Sequence, residues 1–148
     1  MRIKVDGKEV EAYDLLMRKE YALDIISGKK TLEIREFKSH YVRMFTDKDQ
    51  LKKNEGLRKE GKDDECVDPF KLVSYIRFHN YDYDWILDVR IDEIGIGTMC
   101  QGDIEDLADS FGFHDYDNEW QQYEHLADDE KPVFYWLHVK EIVGRKGI

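Results

Sequence analysis

Between Glu20 and Arg35 the chain writes a helix, a stop and a strand in immediate succession, and this junction limits the available folds more than any other feature. Tyr21, Ala22, Ile25 and Ile26 fall at helical spacing, and Gly28 follows Ser27 where a C-terminal cap belongs. Glycine suits that place because it enters the left-handed region without steric cost. Beyond it Leu32 and Ile34 alternate with Thr31, Glu33 and Arg35, the period of a strand with one apolar face and one polar face. Lys30 stands at the strand entry, where its ammonium can swing to the polar face. Within the octapeptide Gly28–Arg35, Lys30, Glu33 and Arg35 therefore gather around one short strand. From these residues alone two readings stand: an exposed face with a local salt bridge worth ~0–1 kcal/mol, or a site for a polar ligand.

The remaining pattern predicts mixed α and β structure. Arg2–Val5 and Lys8–Tyr13 read as a hairpin, because Asp6-Gly7 supplies the positive dihedrals of a type I′ turn. Strands are expected over about Tyr13–Met17, Leu72–His79, Trp85–Ile91 and Val133–Val143, all rich in branched and aromatic residues. Ile104, Leu107, Ala108 and Phe111 mark a helix within Gly102–Phe113, and Asn118–Leu126 reads as a second short one. The interval Asp47–Asp68 is dense in Lys, Glu, Asp and Gly, and it reads as a loop that cannot bury itself, either a lid or idle surface. At 148 residues a single domain can bury roughly 68–70% of its unfolded surface, enough for one core without metal or disulfide.

The segment from about residue 13 to residue 36 resembles the ASCH domain family, a branch of the PUA-like superfamily. That family's signature is Gly-x-Lys-x-x-Glu-x-Arg after a strand and a helix, and Gly28, Lys30, Glu33 and Arg35 match all four positions. The resemblance implies an α+β fold, a PUA-like mixed β-barrel with short flanking α-helices, formed by residues 1–148 as one domain with a charged insertion at about 47–68. It also implies a cleft in which Gly28, Lys30, Thr31, Glu33 and Arg35 bind RNA or a nucleotide-type ligand.

Charge and composition narrow the partners. The net charge of −10 argues against a general nucleic-acid coat, whose affinity comes from clustered cations releasing phosphate counterions. The charge is polarised along the chain: residues 1–62 hold 16 Lys and Arg against 12 Asp and Glu, and residues 63–148 hold 7 against 21. The basic run after the motif, from Lys38 to Lys62, is either an electrostatic footprint or a solvated segment whose acids cancel its field. Tyr75, Phe78, His79, Tyr81, Tyr83 and Trp85 can stack on bases, but their alternation fits core packing better, and Asp82 and Asp84 would repel a phosphate backbone. No metal or other cofactor is expected. The five histidines lack ligand spacing, and Asp115, Asp117, Asp128 and Asp129 lack the calcium-loop pattern. Cys66 and Cys100 suit a reducing cytoplasm, with a disulfide between them the alternative. No apolar run reaches the ~18 residues of a membrane span, and Arg2, Lys4, Asp6 and Lys8 interrupt any signal-peptide core.

Two functional classes follow from the resemblance. In a binding module, Arg35 and Lys30 would meet phosphate or base and Glu33 would orient them through charge-assisted hydrogen bonds. In an enzyme, Lys30 would be base or nucleophile and Glu33 an acid, base or water-orienting group. Small bacterial proteins that the chain resembles are amidohydrolases that deacylate N4-acetylcytidine and related nucleosides with a Lys, a Thr and a downstream Glu. Lys30 matches the lysine, whereas Glu33 occupies the threonine position and the downstream carboxylate position falls near Phe111. A carboxylate in place of a hydroxyl would form a labile anhydride or activate water, so the same reaction need not follow. RNA cleavage ranks last, since no recognisable histidine pair is present.

Overall fold

Asp6 and Gly7 take φ of 50° and 78° and turn β1 (Arg2–Val5) back onto β2 (Lys8–Glu11), the hairpin that the Asp-Gly pair predicts. Ile3, Val5 and Ala12 are buried in it against Val10, Tyr75 and Val143. The computed structural model describes residues 1–148 and falls into two units, Met1–Glu36 with Val73–Ile148, and Phe37–Leu72.

The first unit is built on a five-stranded sheet in the order β3 (Tyr13–Leu16), β5 (Tyr75–His79), β6 (Ile86–Thr98), β7 (Val133–Lys146), β4 (Leu32–Glu36). β3 and β5 are parallel and the other pairings antiparallel. The sheet curls into a half-barrel, and its class is α+β as expected. The two edge strands meet through a side chain, not a backbone ladder: Arg35 on β4 donates from Nη2 to the carbonyl of Leu16 on β3 at 2.9 Å. Cross-strand partners share a face, so Tyr13, Leu15, Ile76, Phe78, Leu87 and Val89 stack into one buried layer.

At the start of β4 both faces are covered, with Leu32 and Glu33 buried and Glu36 at its end exposed. Leu32 packs with Phe134 of β7 and with Ile104 and Leu107 of α4 (Gln101–Phe111), a helix stopped by left-handed Gly112. On the other face Glu33 lies opposite Leu137, which is fully buried. Helix α1 (Lys19–Ile26) buries Ala22 and Ile25 and delivers the chain to this strand. Several boundaries differ from the sequence reading. β5 begins at Tyr75 instead of Leu72, β6 runs on to Thr98 through three register shifts against β7, β7 runs on to Lys146, and Trp120–Tyr123 form only a 3₁₀ turn.

Phe37–Leu72 corrects the expectation of a loop over 47–68. After α2 (Ser39–Phe45) comes a twelve-residue helix, α3 (Lys48–Lys59). Asp47 caps it, accepting from the N–H groups of Asp49 and Gln50 at 2.9 and 3.1 Å. Its anchor is polar. Asn54 is 1% exposed, donates to the carbonyl of Val67 at 2.7 Å and accepts from Val67 N–H at 3.2 Å. Composition misled here because a hydrogen-bonded amide takes the place of an apolar contact. No helix of the protein is long and apolar enough to cross a membrane.

Candidate functional site

Gly28, with φ of 81°, ends α1 and donates to Ile25 O at 3.1 Å, while Lys30 N–H returns to Asp24 O at 3.0 Å. This tight exit aims the Lys30 side chain back along the helix, and its ammonium sits over the Tyr21 ring, 4.8 Å from the centroid. The carbonyl of Thr31 accepts from Val139 N–H at 2.8 Å, which seats the strand on β7.

Three motif side chains converge as an ion cluster. Lys30 Nζ lies 3.5 Å from both oxygens of Glu33, and Arg35 Nε lies 3.7 Å from Glu33 Oε1. The cluster is largely out of water: the side chains of Lys30, Glu33 and Arg35 are 23, 6 and 14% exposed. Glu33 Oε2 is buried and receives no hydrogen bond. A buried carboxylate held between two cations keeps its charge compensated, yet that oxygen has acceptor capacity left over. The charge of Glu33 also reaches Tyr116, whose hydroxyl pKa is raised by burial first and then by Glu119, Asp115 and Glu33.

A cavity of about 270 Å³ opens beside the cluster, lined by Tyr21, Lys29, Lys30, Thr31, Phe113 and His114, with Asp24, Leu32, Gly112 and Asp115 completing its wall. Of the five expected ligand-binding residues, Lys30 and Thr31 line it. Gly28 shapes the turn, and Glu33 and Arg35 stand behind Lys30. Thr31 Oγ1 donates to the carbonyl of Phe111 at 3.1 Å, tying the motif to the end of α4. Sequence reasoning missed Tyr21, Phe113 and His114. Tyr21 is signalled by its place on the α1 face nearest Gly28, but nothing local marks residues 112–115, which the α4 cap brings 80 residues back to the motif.

Other chemistry-bearing groups are engaged elsewhere. Arg77 binds Asp88 with two 2.8 Å bonds, and the His79 ring meets Asp14 while stacking on Tyr83 at 3.8 Å. Phe78, His79 and Trp85 are buried as core packing requires, Tyr81 projects to solvent, and Tyr83 is half-exposed over His79 with its hydroxyl donating to Asp14. Cys66 and Cys100 are both free thiols. No family model matches the chain, and neither a curated protein nor a solved structure does.

Proposed function

We infer that the protein is an ASCH-type, PUA-like domain that recognises RNA or a nucleotide-type ligand in the cleft at Lys30. The observation that carries this reading is the Lys30 side chain, whose ammonium is ion-paired with buried Glu33 and which lines an open cavity. Lys29 and Lys30 offer charge to a phosphate, and Tyr21 and Phe113 offer aromatic faces to a base. Arg35 acts from behind by holding Glu33. A cavity of about 270 Å³ lies below the roughly 300 Å³ at which drug-sized pockets begin. It suits one nucleoside unit, as at an RNA end. The alternative, a small amidohydrolase acting on acylated nucleosides, draws on the same Lys30–Glu33 pair, because an ammonium backed by a carboxylate can orient a water molecule.

The test is incubation with a short single-stranded RNA and with N4-acetylcytidine, followed by chromatography, beside Lys30→Ala. Recognition predicts salt-sensitive retention without turnover, weakened at least tenfold in the variant, with the salt slope reduced by about 0.7. Turnover that vanishes in the variant selects the hydrolase; retention equal in both proteins removes the cleft from the function.

A further inference from the structure

A second and larger cavity, about 390 Å³, lies where the far end of β6 faces α4, lined by Glu93, Ile96, Asp103, Asp106, Phe111 and Trp136, with Gly97, Leu107 and Ser110 between them. Lys30, Glu33 and Arg35 do not border it. Its aromatic wall depends on bare backbone. The Trp136 ring lies across Gly95, where a Cβ would stand 2.3 Å from the indole, and the Phe111 ring meets it at 5.1 Å and 45°. Ile96 adds an aliphatic surface that is 44% exposed.

Helix α4 carries Asp103 and Asp106, and a bulge places Glu93. Ile91 pairs with Val139 and Glu93 with His138, so Asp92 has no partner across the ladder. The extra residue lets Asp92 Oδ1 take His138 Nδ1 at 2.6 Å while Glu93 serves the cavity. Bulges re-aim side chains in this way beside functional sites. Asp103 is used internally, accepting from Thr98 N–H at 2.7 Å. The side chains of Glu93, Asp106 and Ser110 make no hydrogen bond or ion pair within the chain, and no Lys, Arg or His lines the wall.

We propose that this cavity binds a small organic cation, an alkylammonium carried on an aliphatic stem. The ammonium is held between Glu93 and Asp106 with the Trp136 and Phe111 faces against it, and the stem covers Ile96 and Leu107. Competing ligands fit less well. A magnesium or calcium ion seeks a shell of oxygens and gains nothing from an indole. A neutral apolar molecule would strip water from two carboxylates without replacing it, and an anion meets only like charge. A free diamine and a lysine side chain share the recognised chemistry.

The experiment follows amide and indole N–H shifts of the whole protein during titration with putrescine, 1,4-butanediol, magnesium chloride at matched ionic strength, and Nα-acetyl-lysine methylamide. The expected result is saturable shifts by putrescine at Glu93, Asp106 and the Trp136 indole, none by the diol or magnesium, and affinity at least tenfold lower in Glu93→Gln/Asp106→Asn. Those carboxamides are isosteric on exposed side chains, so the fold is kept. Tighter binding by the lysine derivative identifies a lysine side chain as the ligand, and tighter binding by putrescine a free amine. Lys30→Ala should bind putrescine like the parent protein, which separates this site from the nucleotide cleft. Shifts equal for magnesium and putrescine, or unchanged in the double variant, overturn the proposal.

Discussion

Lys30–Glu33 at the start of β4 and Glu55–Lys59 on α3 are pairs of the same chemical kind with the same 3.5 Å separation, and they live in opposite surroundings. The β4 pair is 23 and 6% exposed, the α3 pair 75 and 66%. In water such a pair gains little over its hydrated ions, ~0–1 kcal/mol. Away from water each ion depends on the others, because removing one partner leaves an uncompensated buried charge. Separation therefore says little about an ion pair in this protein; what surrounds it ranks its importance and marks the β4 group as the chemically loaded one.

The sharpest way to break the comparison is Glu33→Ala, which leaves Lys30 and Arg35 without their shared carboxylate. We expect about 3 kcal/mol lost from the unfolding free energy in urea, and a loss near that of an exposed pair would show that β4 is open to water. A second ionisable group on the curled sheet tests the same dryness. Burial pushes the Tyr13 hydroxyl up to about 12, and the residue is 6% exposed. Its folded pKa lies above the unfolded value, so this stabilisation is complete below pH 10 and fades as pH rises toward 12, on the order of 2.5 kcal/mol in all. Tyr13→Phe should flatten that alkaline decline in unfolding measured from pH 9 to 12.

Asn54→Ala probes the one buried side chain of α3 and should cost about 2 kcal/mol by chemical denaturation, since it leaves Val67 N–H and C=O unpaired. Glu55→Ala, four residues before Lys59 on the same helix, should change stability by less than about 0.5 kcal/mol. A larger effect would place the α3 surface in a contact of its own.

Much of this arrangement is legible locally. The positive dihedrals at Asp6-Gly7, the stop at Gly28, the period of Leu32 and Ile34, and the i, i+3 apolar row of α4 all act within a few residues. The α3 helix was hidden because its stability comes from a cap and a buried amide, neither of which raises hydrophobic periodicity. The polar face of β4 was visible as a pattern, but alternation names two faces without saying which one meets water. Neither does at the start of β4: Leu32 is buried against the α4 cluster, and Glu33 is buried beside its ladder partner Leu137.

By itself the sequence determined the local elements, the cluster of Lys30, Glu33 and Arg35 on one stretch of chain, and the acidic bias of the later residues. Only the tertiary structure decided that Arg35 reaches Leu16 across the curl, that Phe113 and His114 wall the cavity beside Lys30, and that Trp136 lies bare over Gly95. Turns, caps and periodicities are encoded in neighbouring residues. Burial and charge compensation depend on which distant strands share a sheet, and no short window of the chain contains that pairing.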